Sequence, residues 1–250
     1  MLYDAVLTFV DDDAKADALR HWENIIDATG IRMTSAVISG RVTETTDYEG
    51  YWSYAGWDMI ERLMDKGVDF VCHTHNHVNL TTFTEEELHA DFQKAREILI
   101  PRGVNADILV YPNNAYNDLV LSVVQDYFTA AVACGGEFNW QPFDRQYALY
   151  RVNINSSYEV KEIDFGDGIV VECEGLMSLK TMKAYAEKAV NNDAWLIFMC
   201  HAYDSPGGKY YFGENEEQRI IDFCTYIQEA GNIKIITLTE GVALINGTAE

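Results

Sequence analysis

Three clusters in this sequence could carry hydrolytic chemistry. An apolar run at residues 5–10 ends in Asp11-Asp12-Asp13. A second, at 68–72, ends in His73-Thr74-His75-Asn76-His77, and a third, at 195–200, ends in His201. Two imidazoles three residues apart, where a strand turns into a loop, can face one ion. A carboxylate then completes a His₂-Asp set with positions left open for water and substrate, which suits zinc or a similar divalent metal. The histidine pair alone reads equally well as two hydrogen-bonded structural residues. The acids and His201 at neighbouring strand ends tip the reading towards a metal. His75 lies between the two and is expected to serve structure or the rim. His21 and His89 fall in helical patterns, on faces expected to be solvated.

These residues need elements that bring them together. Apolar runs recur at 5–10, 33–38, 68–72, 108–111, 129–133, 147–152, 195–200 and 233–238. Helical patterns lie between them at 13–28, 57–65, 84–99, 118–128, 179–190 and 215–230. Thr84-Glu85-Glu86-Glu87 reads as a capping box, and Asn215 as the N-cap of the last predicted helix. Residues 159–165 and 169–174, joined around Gly166-Asp167-Gly168, read as a β-hairpin. Strands alternating with helices predict a parallel sheet with both faces covered. Seven or eight strands predict an α/β chain folded as a distorted, TIM-like (β/α)7-8 barrel, a single domain over 1–250 with a small hairpin insertion. An open doubly wound sheet is the alternative. In a barrel the C-terminal strand ends meet on one face, and the acids and histidines meet there too. No G-x-G-x-x-G follows the first strand, so nothing points to a dinucleotide.

Composition narrows the partners. Forty acidic against 18 basic residues give a net charge of −22, which argues against nucleic acid, anionic membrane surfaces and highly anionic substrates. No stretch approaches the ~18 consecutive apolar residues of a membrane span. The N-terminus lacks the basic and apolar regions of a signal peptide. Five cysteines without C-x-x-C spacing read as buried reduced thiols. Together these predict a cytoplasmic protein, or an extracellular one if a leader or a larger chain has been trimmed.

The ordered motifs resemble those of the polysaccharide deacetylases, carbohydrate esterase family four. Thr8-Phe9-Val10-Asp11-Asp12-Asp13 is similar to T-F-D-D-G. His73-Thr74-His75-Asn76-His77 matches H-[S/T]-x-x-H. Tyr111-Pro112-Asn113-Asn114-Ala115-Tyr116-Asn117 resembles the third motif in its Y-P-Y-G variant, and the segment ending Phe198-Met199-Cys200-His201 resembles L-L-H. The likeness covers residues 3–240 and is strongest over 3–117.

The resemblance implies a distorted barrel that removes acetyl groups from N- or O-acetylated sugars, with an acetylated glycan as partner. It implies one divalent ion, zinc before cobalt, nickel or manganese, held by Asp12, His73 and His77. It makes Asp11 the general base and His201 the general acid. Val10 intervenes before the acids, so a register with Asp12 as base and Asp13 as ligand stays open. The resemblance places an oxyanion donor at Asn113, beside Tyr111 and Pro112. Asn114 stands where the family has Gly and is the non-Gly type that best tolerates positive φ. The arginine that orients the base in many relatives is missing from the third motif, and Arg151 could substitute for it. Trp140 could stack on a sugar, or belong to the core. An amidohydrolase of small non-sugar amides or imides, and a non-catalytic carbohydrate-binding module, are the competing readings.

Overall fold

The computed structural model describes residues 5–48, 52–135, 138–140, 145–154, 177–202 and 211–248. The predicted hairpin at 159–174 and Cys173 lie outside the described residues. The strands are β1 (Ala5–Asp11), β2 (Thr34–Val37), β3 (Asp69–Cys72), β4 (Asn105–Val110), β5 (Ala130–Val132), β6 (Val152–Asn153), β7 (Trp195–Cys200) and β8 (Ile233–Ile235). The helices are α1 (Ala16–Thr29), α2 (Trp57–Asp65), α3 (Glu85–Leu99), α4 (Asp118–Val124), α5 (Leu179–Asn191), α6 (Glu214–Ala230) and α7 (Leu238–Ile245).

All strand pairings are parallel, in the order β5-β4-β3-β2-β1-β7-β6, with β8 paired to the start of β1. The sheet curls until its edges meet. Leu149 donates its N–H to Ala131 O at 3.0 Å and accepts from Ala133 N at 2.8 Å, and three residues later the same segment joins β7. This is the predicted distorted (β/α) barrel.

Side-chain alternation along each strand divides the core. Val10, Ala36, Val71, Val110, Val132 and Ile197 fill the barrel interior. Leu7, Phe9, Phe70 and Phe198 face the helix layer, where they meet Trp22, Phe92 and Phe223. One helix escaped the sequence reading. Residues 233–238 read as one strand, but β8 stops at Ile235 and Thr237 caps α7, in a capping box with Glu240. Leu238 and Val242 of α7 join the interior cluster. The helix lies so close that a Cβ on Gly241 would fall 2.1 Å from the Trp195 ring, a contact only glycine permits. Trp195 begins β7, so α7 closes the N-terminal end of the barrel.

Smaller differences have local causes. The cap of α6 is Gly213, not Asn215, because the Glu216 side chain accepts the Gly213 N–H at 3.1 Å. His21 is not on a solvated face: its Nδ1 lies 2.7 Å from Glu217 of α6 and joins two helices. Cys72, Cys200 and Cys224 are buried, and burial pushes the Cys72 thiol up to about 12.

Candidate active site and metal centre

The acids after β1 diverge because the strand keeps its pleat to the end. Asp11 pairs with Ser35 of β2 and Cys200 of β7, so its side chain follows Leu7 and Phe9 into the helix layer. Its carboxylate is buried, and neither oxygen has a hydrogen-bond partner of normal geometry among the described residues. Burial, with the Asp12 charge adding, pushes this carboxyl well above the usual range. Asp12 turns the other way and meets Arg151. The guanidinium donates from Nη1 to Oδ1 at 2.6 Å and from Nη2 to Oδ2 at 3.2 Å, both partners buried. Arg151 Nε donates to Ala133 O at 3.2 Å, which fixes the fork. Burial opposes the arginine's charge, and Asp12 outweighs it, so the guanidinium stays firmly protonated.

Asp13 is the acid that meets the histidines. Its Oδ1 lies 3.1 Å from His77 Nε2 and 3.4 Å from His73 Nε2, and its Oδ2 lies 3.0 Å from His201 Nε2. The backbone takes φ 75° at Asp13 and 51° at Ala14 to turn the chain inward. Burial disfavours the Asp13 anion, but the surrounding imidazoles of His201, His73 and His77 outweigh it and hold the carboxyl far below the usual range. The expectation that Asp12 joins His73 and His77 is therefore corrected to Asp13. The position expected for Asp11, beside the arginine, belongs to Asp12.

The donor set fits a divalent ion. Single donor atoms of Asp13, His73 and His77 lie within 4.8 Å of one another. Two ligands ~2.1 Å from a tetrahedral ion are ~3.4 Å apart, close to the separations from Asp13. Asp13 Oδ1 is buried and has no hydrogen-bond partner of normal geometry among the described residues, as an oxygen awaiting a cation would be. His73 Nδ1 donates to Val110 O at 2.8 Å, which fixes the tautomer and leaves Nε2 as the free base.

The loop from β3 is held from outside. Thr74 and His77 take positive φ, 67° and 53°, and Thr74 Oγ1 accepts the His77 N–H at 3.0 Å. Asp91, buried on α3, accepts from His75 N at 2.9 Å, from Asn76 N at 3.0 Å and from Asn76 Nδ2 at 2.7 Å. Sequence reading missed Asp91. Its only signal was an acid on the buried face of an amphipathic helix. His75 serves structure, with Nδ1 2.9 Å from Ser39 Oγ.

The third-motif residues divide. Pro112, Asn113 and Asn114 form a 3₁₀ turn after β4 with Asn113 exposed, and both asparagines take positive φ, 55° and 53°. Asn114 spends its amide on the backbone of Cys134. Tyr111 is not exposed to a ligand: its ring is buried, stacked on Tyr116, and its hydroxyl donates to Tyr147 O at 2.8 Å. Trp140 is 42% exposed, but it follows Asn139, which pairs with Trp195 at the start of β7. That is the closed end of the barrel, about 20 Å along the chain from His201.

A profile of the polysaccharide deacetylase family matches residues 4–131, just over half of the chain. Solved structures share the fold. A Mycobacterium smegmatis protein classed with the polysaccharide deacetylases has TM-score 0.68 at 11% identity, covering 99% of this chain and 92% of that one. The family 4 carbohydrate esterase from Streptomyces lividans, in complex with acetate, has TM-score 0.58 at 11% identity, covering 93% and 92%. A pseudoenzyme of the family from Bacillus anthracis has TM-score 0.57 at 13% identity, covering 95% and 65%. A comparison with curated protein sequences gives no match. Both esterase and pseudoenzyme carry this fold, so activity has to be argued from the residues of the site.

Proposed function

Because the chain belongs to the polysaccharide deacetylase family, we propose that it is a metal-dependent deacetylase of an acetylated carbohydrate. The observation that carries this reading is the buried Asp13 carboxylate in contact with His73, His77 and His201. Asp13, His73 and His77 would hold one divalent ion, zinc being the best match to a His₂-carboxylate set. When bound, such an ion supplies a Lewis acid that polarises the acetyl carbonyl and can acidify water from about 15.7 towards ~7.

The remaining roles follow from charge and position. Asp12 accepts the proton of the attacking water, and its bidentate arginine holds it in place. The exposed Asn113 turn offers a backbone N–H to the developing oxyanion. His201 Nε2 faces the same centre and delivers a proton to the departing sugar nitrogen or oxygen.

The test is acetate release from N-acetylglucosamine oligomers and acetylated xylan, with metal content measured on the same samples. Asp13→Asn should lose both metal and activity. Asp12→Asn should keep the metal and lose about 10²–10⁴ in turnover, the usual contribution of a general base. Metal loss from Asp12→Asn with Asp13→Asn still loaded would show that the acids are shifted by one. No acetate from any glycan with metal-loaded wild type would sink the proposal.

A further inference from the structure

Beside this site, at the C-terminal rim of β1 and β2, two cations share one aromatic ring. Lys15 follows the acid run, and the segment around Tyr54 pairs against it: Ala16 N donates to Ser53 O and Ala55 N to Ala14 O, both at 2.9 Å. The Lys15 ammonium sits 3.6 Å from the Tyr54 ring centroid and 5.9 Å from that of Trp52. Arg41, just past β2, lies 5.9 Å from the same Tyr54 ring. Gly40, next to it, donates to His75 O inside the histidine motif.

Lys15 is only 7% exposed, and no carboxylate among the described residues pairs with it or with Arg41. Elsewhere the arginines are mostly neutralised: Arg20 by Asp17, Arg62 by Glu23, Arg102 by Glu44 and Glu61. In a chain with 40 acids and 18 bases, two unpaired cations beside the site run against composition. Burying an ammonium costs stability unless something compensates it, and an aromatic face compensates only partly. Trp52, 58% exposed beside them, offers the flat apolar face that a sugar ring covers.

We propose that Lys15, Arg41, Tyr54 and Trp52 form a subsite for a carboxylate-bearing sugar, such as a uronic acid unit, next to the acetylated one. This rests on the deacetylase reading and names its substrate class. Trp52 stacks on the sugar, Lys15 and Arg41 meet its carboxylate, and the local positive charge overrides the repulsion expected from the net charge.

Titration calorimetry with unacetylated sugars tests the subsite without turnover. A galacturonate trisaccharide should bind the full chain, and 0.5 M salt should weaken it, while cellotriose should bind at least about tenfold more weakly. The double substitution Lys15→Met, Arg41→Met should cost galacturonate about tenfold or more and leave cellotriose unchanged. Arg41→Met alone, at an exposed position, should cost part of that loss and serves if the double variant fails to fold. Equal affinity for both sugars, no binding of galacturonate, or full affinity in the Arg41→Met variant would overturn the proposal. Selective galacturonate binding without acetate release would leave the subsite standing and remove the deacetylase reading.

Discussion

Asp11, Asp12 and Asp13 are chemically identical, yet one faces an apolar layer, one an arginine and one three imidazoles. Removing the arginine tests how far that division depends on it. Arg151→Met leaves Asp12 buried and uncompensated, and should cost about 3–5 kcal/mol in urea unfolding. Arg151→Lys should recover only part of this, because an ammonium cannot make the bidentate contact. An unchanged midpoint for the Met variant would mean the pair does not hold this region. The type of chemistry was legible in the sequence, since the acids and histidines stand at strand ends in a specific order. The register was not, because three consecutive acids leave one-residue shifts indistinguishable. What breaks the tie is the pleat of β1, which carries Asp11 outward with Phe9, and Arg151, which lies far away in the chain.

Among the elements, the β3 loop carries His73 and His77 and depends on a helix. Asp91 of α3 gathers three N–H groups from His75 and Asn76, bonds that hold the loop between His73 and His77. Asp91→Ala should loosen metal binding about 10–100-fold, the usual cost of losing a supporting contact, while the fold persists by circular dichroism. Unchanged metal affinity would reduce Asp91 to packing. Helix α7 gives a pH-dependent case. Partial burial disfavours the Glu240 anion, but the Thr237 N–H and Arg32 outweigh it and hold its carboxyl below the usual range. Its contribution is full above the unfolded carboxylate pKa and fades as pH falls towards the lower folded value. Glu240→Gln should cost about 0.5–1 kcal/mol at pH 7, less than a buried pair because the group is partly exposed. That cost should shrink as unfolding is repeated down through the acid range. Sequence reading missed α7 because residues 233–238 continue one apolar run. The Thr237 and Glu240 capping box was the available signal.

For the whole molecule, the charge and the barrel pull in different directions. Forty acids against 18 bases repel one another, and Asp11, Asp12 and Asp13 stand together at the end of β1. An ion held by Asp13, His73 and His77, as proposed, would bind only the folded chain, since β1 and β3 must be assembled to present the three donors. A divalent ion at about one hundred times its dissociation constant should therefore raise unfolding stability by ~2.7 kcal/mol. The gain should vanish with a chelator and be absent in Asp13→Asn. A gain that persists in Asp13→Asn would place the ion elsewhere.

The segment that closes the barrel also carries Arg151. Leu149 joins β5, Val152 joins β7, and the guanidinium between them reaches Asp12. A chain whose last seam has not formed leaves Asp12 without the guanidinium that fixes its two oxygens. Closing the barrel and orienting this acid are therefore one event, carried by four consecutive residues.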